Sequence, residues 1–299
     1  MRFILVVLLI LFFNSCIQEI PIDIQVAKNQ LVVGSVINPE KLIALNVSYI
    51  NPFGDSAISP KITKISIFED GILIDNPAGQ GPKIYSSTYP KEGSEYELTV
   101  LTETDSVTAR TTIPNSVTIG KADYWITNFI SQTGERLIEL SISWDDPPAM
   151  KNYYELMLLE ESKTPYTRYR WDEIDDLILL QEGDLNYEPT SFVMTDKQFD
   201  GKTITIQFKY PIGETSQIYR DRYVLVRSIS QEYYHFMKSW YRHLYQQNTS
   251  MNVEMIREDY NIFPLLFQGD PIPLYSNIDR GYGIFAGYSH DIRKLKFIK

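Results

Sequence analysis

Cysteine occurs once in the chain and histidine three times. One thiol excludes an internal disulfide framework, even in an oxidising compartment. His235, His243 and His290 make no His-Glu-x-x-His pair. The first two sit about 80° apart around a helix of 3.6 residues per turn, not one above the other. No metal is expected from them. A Gly-x-Ser-x-Gly elbow and a phosphate-binding glycine loop are both missing, and Gly281, Gly283 and Gly287 lack dinucleotide spacing. No catalytic residue and no cofactor follows from these patterns. The balance of 28 Lys+Arg against 38 Asp+Glu gives a net charge of −10 without a sustained basic run. Nucleic-acid binding therefore has no electrostatic basis. Long apolar runs are absent as well. The run Phe3 to Phe13 falls short of the roughly 20 residues that a membrane-spanning helix requires.

That run has the form of an export leader. Met1 and Arg2 give a basic start, the apolar stretch follows, and Asn14 and Ser15 precede Cys16. Residues 1–15 are expected to be a signal peptide. The stretch Phe13-Asn14-Ser15-Cys16 resembles a bacterial lipoprotein signal, in which the cut falls before the cysteine and the cysteine is acylated. This resemblance implies lipidation of Cys16 by palmitate-like chains. At about 0.8 kcal/mol per buried methylene, several chains would hold the protein firmly to a membrane. Residues 16–27, with Glu19, Pro21 and Asp23 and no helical period, are expected to be a tether.

The remainder is 43% hydrophobic, enough for real cores. From Gln30 to Pro114 the pattern alternates: Leu31 to Ile37, Leu42 to Ile50, Ile62 to Phe68, then Tyr96, Leu98 and Val100, then Val107, Ala109 and Thr111. Turn signals such as Asn38-Pro39 and Asp70-Gly71 interrupt it. Short strands with period two and little helical period predict a β-sandwich over 28–115. A second β series predicts a C-terminal β domain over 116–299. Within it, Leu140 to Pro148 followed by Tyr153-Tyr154 resembles the first half of a fibronectin type III module, with Trp144 as a core anchor and Tyr154 beside it. Thr164 to Pro189 is an inserted acidic segment. Gln231 to Gln247 reads as an amphipathic helix capped by Ser230, with Tyr234, Met237, Tyr241, Leu244 and Tyr245 on its apolar face. The fold class is thus mainly β: two immunoglobulin- or fibronectin-III-like sandwiches, the second carrying the insert and one helix.

Acidic pairs at Asp145-Asp146, Asp172-Glu173 and Asp175-Asp176 have the residue type for glycoside hydrolysis. The Asp172 to Asp176 cluster has the hard oxygens calcium prefers, without an Asp-x-Asp-x-Asp-Gly loop. Adjacent acids in turns are ordinarily solvated, so neither is assigned a reaction. Aromatic residues supply a binding feature. Tyr166, Tyr169, Trp171, Tyr233 and Tyr234 are candidate binding residues, because an apolar body with a polar tip suits interfaces and sugar faces. The plainer reading places them at strand ends and the junction between domains. Asp55-Ser56-Ala57 and Asp105-Ser106-Val107 resemble a bacterial O-glycosylation acceptor, making Ser56 and Ser106 candidate modification sites.

Three stretches together resemble a Bacteroidota lipoprotein family known as a domain of unknown function. They are Leu31 to Ile37, Val226 to Tyr234, and Tyr275-Ser276-Asn277-Ile278-Asp279-Arg280-Gly281-Tyr282-Gly283-Ile284-Phe285-Ala286-Gly287. Asp196 with Phe199-Asp200-Gly201-Lys202 matches a shorter pattern. Ser276, Asn277, Ile278, Gly281, Gly283 and Phe285 are expected to be structural, in a demanding turn that docks this segment onto the sandwich. Arg280 stands where the family more often has glycine. Members are often encoded beside TonB-dependent outer-membrane receptors. The resemblance implies an outer-membrane lipoprotein, anchored through Cys16, that serves as a non-enzymatic accessory or binding component with a glycan or peptide cargo. An envelope hydrolase with carboxylates converging from separate strands, and a structural or adhesive surface module, are the alternatives.

Overall fold

The computed structural model describes residues 30–50, 59–79, 81, 83–131, 134–159, 176–182, 191–212, 221–247 and 272–298. The protein is mainly β. Strands β1 (Leu31–Ile37), β2 (Ala44–Tyr49), β3 (Ile62–Glu69), β4 (Ile72–Asp75), β5 (Lys83–Tyr85), β6 (Glu95–Thr102) and β7 (Ser106–Thr112) precede β8 (Ile119–Ile130), β9 (Arg136–Asp145) and β10 (Tyr153–Leu159). Helix α1 (Leu177–Glu182), β11 (Phe192–Thr195), β12 (Thr203–Ile212), β13 (Tyr223–Ile229), helix α2 (Gln231–Gln247), β14 (Tyr282–Lys294) and β15 (Lys296–Phe297) complete the order.

Alternation decides which side of each strand is buried. Strand β6 buries Tyr96, Leu98 and Val100, while β1 buries Leu31 and Val33. These residues meet with Leu45, Ile65, Ile67 and Phe285 in one core, beside the four-stranded sheet β4-β3-β6-β7. The second core joins Ile138, Leu140 and Trp144 to Tyr154, Leu156, Phe192, Phe208 and Val226, beside the sheet β12-β9-β8-β15. Trp144 is 1% exposed and its ring lies 5.5 Å from that of Tyr154, as the fibronectin-like pattern predicts.

A seven-stranded sheet, ordered β11-β10-β13-β14-β1-β2-β5, serves both cores and takes strands from both sides of residues 115–116. Strand β14 makes this possible. Its first half pairs in parallel with β1, from Val32↔Tyr282 to Ile37↔Gly287. Its second half pairs antiparallel with β13, from Ile229↔Tyr288 to Tyr223↔Lys294. At Gly283 (φ 113°) a Cβ would lie 2.0 Å from the Val33 carbonyl oxygen, so only glycine permits the parallel approach.

The segment ahead of β14 acts as a buckle. The Asn277 side-chain amide donates to the carbonyls of Arg110 (2.9 Å) and Phe285 (2.7 Å), and its oxygen accepts the Phe285 N–H. The Asp279 N–H donates to the Thr108 carbonyl at 2.8 Å, which ties the segment to β7. Ser276 accepts the Ile278 N–H, and Ile278 is buried in the first core. Arg280 takes φ 59°, the left-handed conformation that explains why glycine is the easier residue there.

Helix α2 lies on the other face of the seven-stranded sheet, against Tyr153, Val193, Ile229, Ile284 and Ala286. Ser230 caps it, its Oγ accepting the Tyr233 N–H at 3.2 Å. The face turned to the sheet is largely the predicted one: Tyr241 is buried there and Tyr234 and Met237 pack beside it, with Tyr233 added and Leu244 left 42% exposed. A polar tip explains the addition of Tyr233, because its hydroxyl, like that of Tyr241, finds partners at the sheet.

Candidate functional site

Those partners form a polar cluster. Glu155 sits in β10, whose seven residues are all buried. Its Oε2 accepts from Arg227 Nη1 at 2.7 Å and from the Tyr233 hydroxyl at 3.0 Å. Its Oε1 accepts from Ser191 Oγ at 2.6 Å, and Ser191 is 2.6 Å from the Tyr241 hydroxyl. Arg227 also lies over the Tyr288 ring, 4.4 Å from its centroid. Burial, the largest single influence, pushes the Arg227 guanidinium down, but the Glu155 carboxylate together with Tyr233 and Tyr288 outweighs it and the net shift is upward, so Arg227 stays charged. Burial holds the Tyr233 hydroxyl well above its ordinary range, with Glu155 adding to the effect. The cluster is matched in charge beneath α2, with Glu155 buried and Arg227 partly exposed. It fixes the helix on the sheet.

A second cluster reaches the surface at one member, Asp200, while Asp146 and Asp196 are buried. The β9–β10 loop supplies Asp146 and the turn after β11 supplies Asp196 and Asp200, with one carboxylate oxygen from each within 4.8 Å of the others. Asp146 is a tie between loops. Its Oδ1 accepts from the Tyr154 hydroxyl at 2.5 Å and from the Asn152 amide at 3.3 Å, and its Oδ2 accepts the Gly201 N–H at 2.8 Å. Asp196 Oδ2 accepts the Asn152 N–H at 2.6 Å, and Asp200 Oδ1 accepts the Ala149 N–H at 3.2 Å. Ala149 is held at φ 67°, an uncommon conformation for a residue with a Cβ. Burial raises the Asp196 carboxyl above its ordinary pKa. The Asn152 N–H opposes this, and the charges of Asp146 and Asp200 reinforce it.

Beside this cluster opens a cleft of about 560 Å³, lined by Ala149, Met150, Lys151, Glu182, Thr195, Asp196, Lys197, Asp200 and Tyr234. Its size falls within the roughly 300–1,000 Å³ typical of small-ligand sites. Glu182, at the end of α1, accepts from Thr195 Oγ1 at 3.3 Å and from the Tyr234 hydroxyl at 3.5 Å. Lys238 donates to the Glu182 carbonyl and lies over the Tyr234 ring. The three aspartates have the oxygen chemistry of a hard-cation site, but both Asp146 oxygens are already engaged by protein donors.

The sequence candidates scatter. Tyr234 lines the cleft, while Tyr233, 7% exposed, is turned onto Glu155 and offers no surface to a partner. Tyr166, Tyr169, Trp171, Cys16 and Ser56 lie outside the described residues. Ser106 is the first residue of β7 and partly exposed. Ser276, Asn277, Ile278, Gly281, Gly283 and Phe285 belong to the buckle, away from the cleft. Asp176 caps α1, its Oδ1 accepting the Ile178 and Leu179 N–H groups, and its Oδ2 accepts from Gln207. Asp172, Glu173 and Asp175 lie outside the described residues. His290 is 3.6 Å from Glu40, His243 contacts the Ile272 carbonyl, and His235 packs on Tyr234 and Tyr275. Lys151, Glu182 and Lys197 carried no signal in the sequence. Asp196 and Asp200 carried one, the short family pattern, which gave no chemical role.

The family model described as "Domain of unknown function (DUF4249)" matches residues 17–293. No curated protein matches the chain.

Proposed function

Starting from a chain that belongs to the DUF4249 family, we propose that it is a lipid-anchored outer-membrane protein, a non-enzymatic binding component of a TonB-dependent transport system. The supporting observation is Cys16. It is the one cysteine of the chain, it ends an apolar export-type run, and it lies ahead of a body whose first described strand is Leu31–Ile37. Such an arrangement leaves a short tether between lipid and fold. Among the described residues no helix is long and apolar enough to cross a membrane, so the reading places attachment in the acyl chains. The cleft beside Tyr234 supplies a place for cargo. Extraction of the tagged full chain in mild detergent, followed by mass spectrometry, is expected to recover an outer-membrane β-barrel receptor with it. Recovery of the chain alone contradicts the proposal.

One observation favours a second reading, an envelope hydrolase. A carboxyl with raised pKa in a cleft beside a second carboxylate is the arrangement of a general acid and its partner, and Asp196 and Asp200 have it. Turnover of glycan or peptide substrates that disappears in Asp196→Asn and Asp200→Asn would establish it. Unchanged substrate in the presence of wild-type protein would remove it.

A further inference from the structure

The cleft holds charges of both signs that leave each other unneutralised. Lys151 and Lys197 line it with Glu182, Asp196 and Asp200. Among the described residues the ion pairs lie elsewhere, and neither lysine joins any of these acids. Lys151 instead lies over the Tyr153 ring, 5.1 Å from its centroid. We propose that the cleft binds a short peptide by its free ends, with the ammonium against Asp196 and Asp200 and the carboxylate against Lys197 and Lys151. The inference rests on the binding reading above and names its ligand class.

Three observations carry it. A neutral sugar would strip water from charged groups and return no charge, a cost that a dipolar ligand avoids. The carboxylates of Asp146, Asp196 and Asp200 lie within 4.8 Å of one another, and burial together with the two neighbouring charges raises the Asp196 carboxyl against the opposing Asn152 N–H, so an arriving ammonium relieves repulsion. Met150, 60% exposed at the cleft, offers an apolar surface to a side chain.

The test is calorimetric titration of the full chain in mild detergent with triglycine, N-acetyl-triglycine, triglycine amide and maltotriose. Saturable binding of triglycine is expected. Blocking either end, or substituting Lys197→Ala or Asp200→Asn, is expected to weaken it at least about tenfold, the loss of one good charged contact. Both substituted side chains are exposed, so an unchanged unfolding midpoint will separate lost contacts from lost structure. Absence of saturable heat with triglycine, equal binding of the blocked peptides, or binding of maltotriose in their place overturns the proposal. Receptor recovery from the same detergent extract is scored separately. A recovered receptor without peptide binding removes only the ligand class, whereas peptide binding without a receptor keeps the ligand class and removes the transport setting.

Discussion

Two carboxylate clusters flank the start of β10, and they are built on opposite principles. Glu155 is buried with its cation beside it, and each of its oxygens meets at least one donor. Asp146, Asp196 and Asp200 gather three acids that make no ion pair among the described residues, and their donors there are backbone amides, one hydroxyl and one side-chain amide. The difference separates structure from availability. A charge matched inside the protein gains nothing from a ligand, whereas a set held together against its own repulsion gains from any cation that arrives.

The largest expected effect breaks the first cluster. Arg227→Ala leaves Glu155 buried without its cation and is expected to cost about 3–5 kcal/mol in denaturant unfolding, the usual penalty for halving a buried ion pair. The double variant Glu155→Leu, Arg227→Met, which removes both charges, should recover much of that loss. Equal destabilisation by the double variant would show that hydrogen bonds to Tyr233 and Ser191, not charge, hold α2. A smaller effect belongs to the second cluster. Tyr154→Phe removes the buried hydroxyl that donates to Asp146 and is expected to cost about 1–3 kcal/mol. A neutral outcome would mean that the Gly201 and Asn152 donors alone hold the loops.

Smallest, and most specific to the contrast, is the pH dependence of Asp196→Asn. The folded pKa of Asp196 is raised, so the folded state holds its proton over a pH range where the unfolded chain has already lost it. Its destabilising contribution is absent below the unfolded pKa, grows as pH rises, and is complete above the folded pKa. Relative to wild type, the variant should therefore gain stability between about pH 3 and pH 7, the lower limit lying below the ordinary Asp value of about 3.9. Paired unfolding curves at the two pH values check this, and a relative loss at the higher pH would show that Asp196 is compensated after all.

Much of the fold was legible because a half-buried strand writes its period into the chain. Leu31 and Val33, or Tyr96, Leu98 and Val100, mark the core side without any knowledge of partners. The second helix was legible for the same reason, and Ser230 marked its start. The inward turn of Tyr233 was not, because spacing picks out Tyr234, Met237 and Tyr241 and says nothing of a hydroxyl that seeks Glu155. Strand order was hidden as well. The parallel pairing of β1 with β14 joins residues some 250 positions apart, and only the glycines hinted that a backbone must pass close by. The cleft was least legible. Its acids come from the end of α1 and the turn after β11, and its lysines, one ahead of β10 and one after β11, have no periodic pattern.

The proposed attachment by lipid at Cys16 is the premise on which the proposed location and receptor partner depend. Metabolic labelling with a radioactive fatty acid, followed by membrane fractionation of wild type and Cys16→Ala, addresses it in one experiment. The wild-type chain should carry label and pellet with outer membranes, and the variant should lose both properties. An unlabelled wild type, or a variant that still pellets, would contradict the anchor.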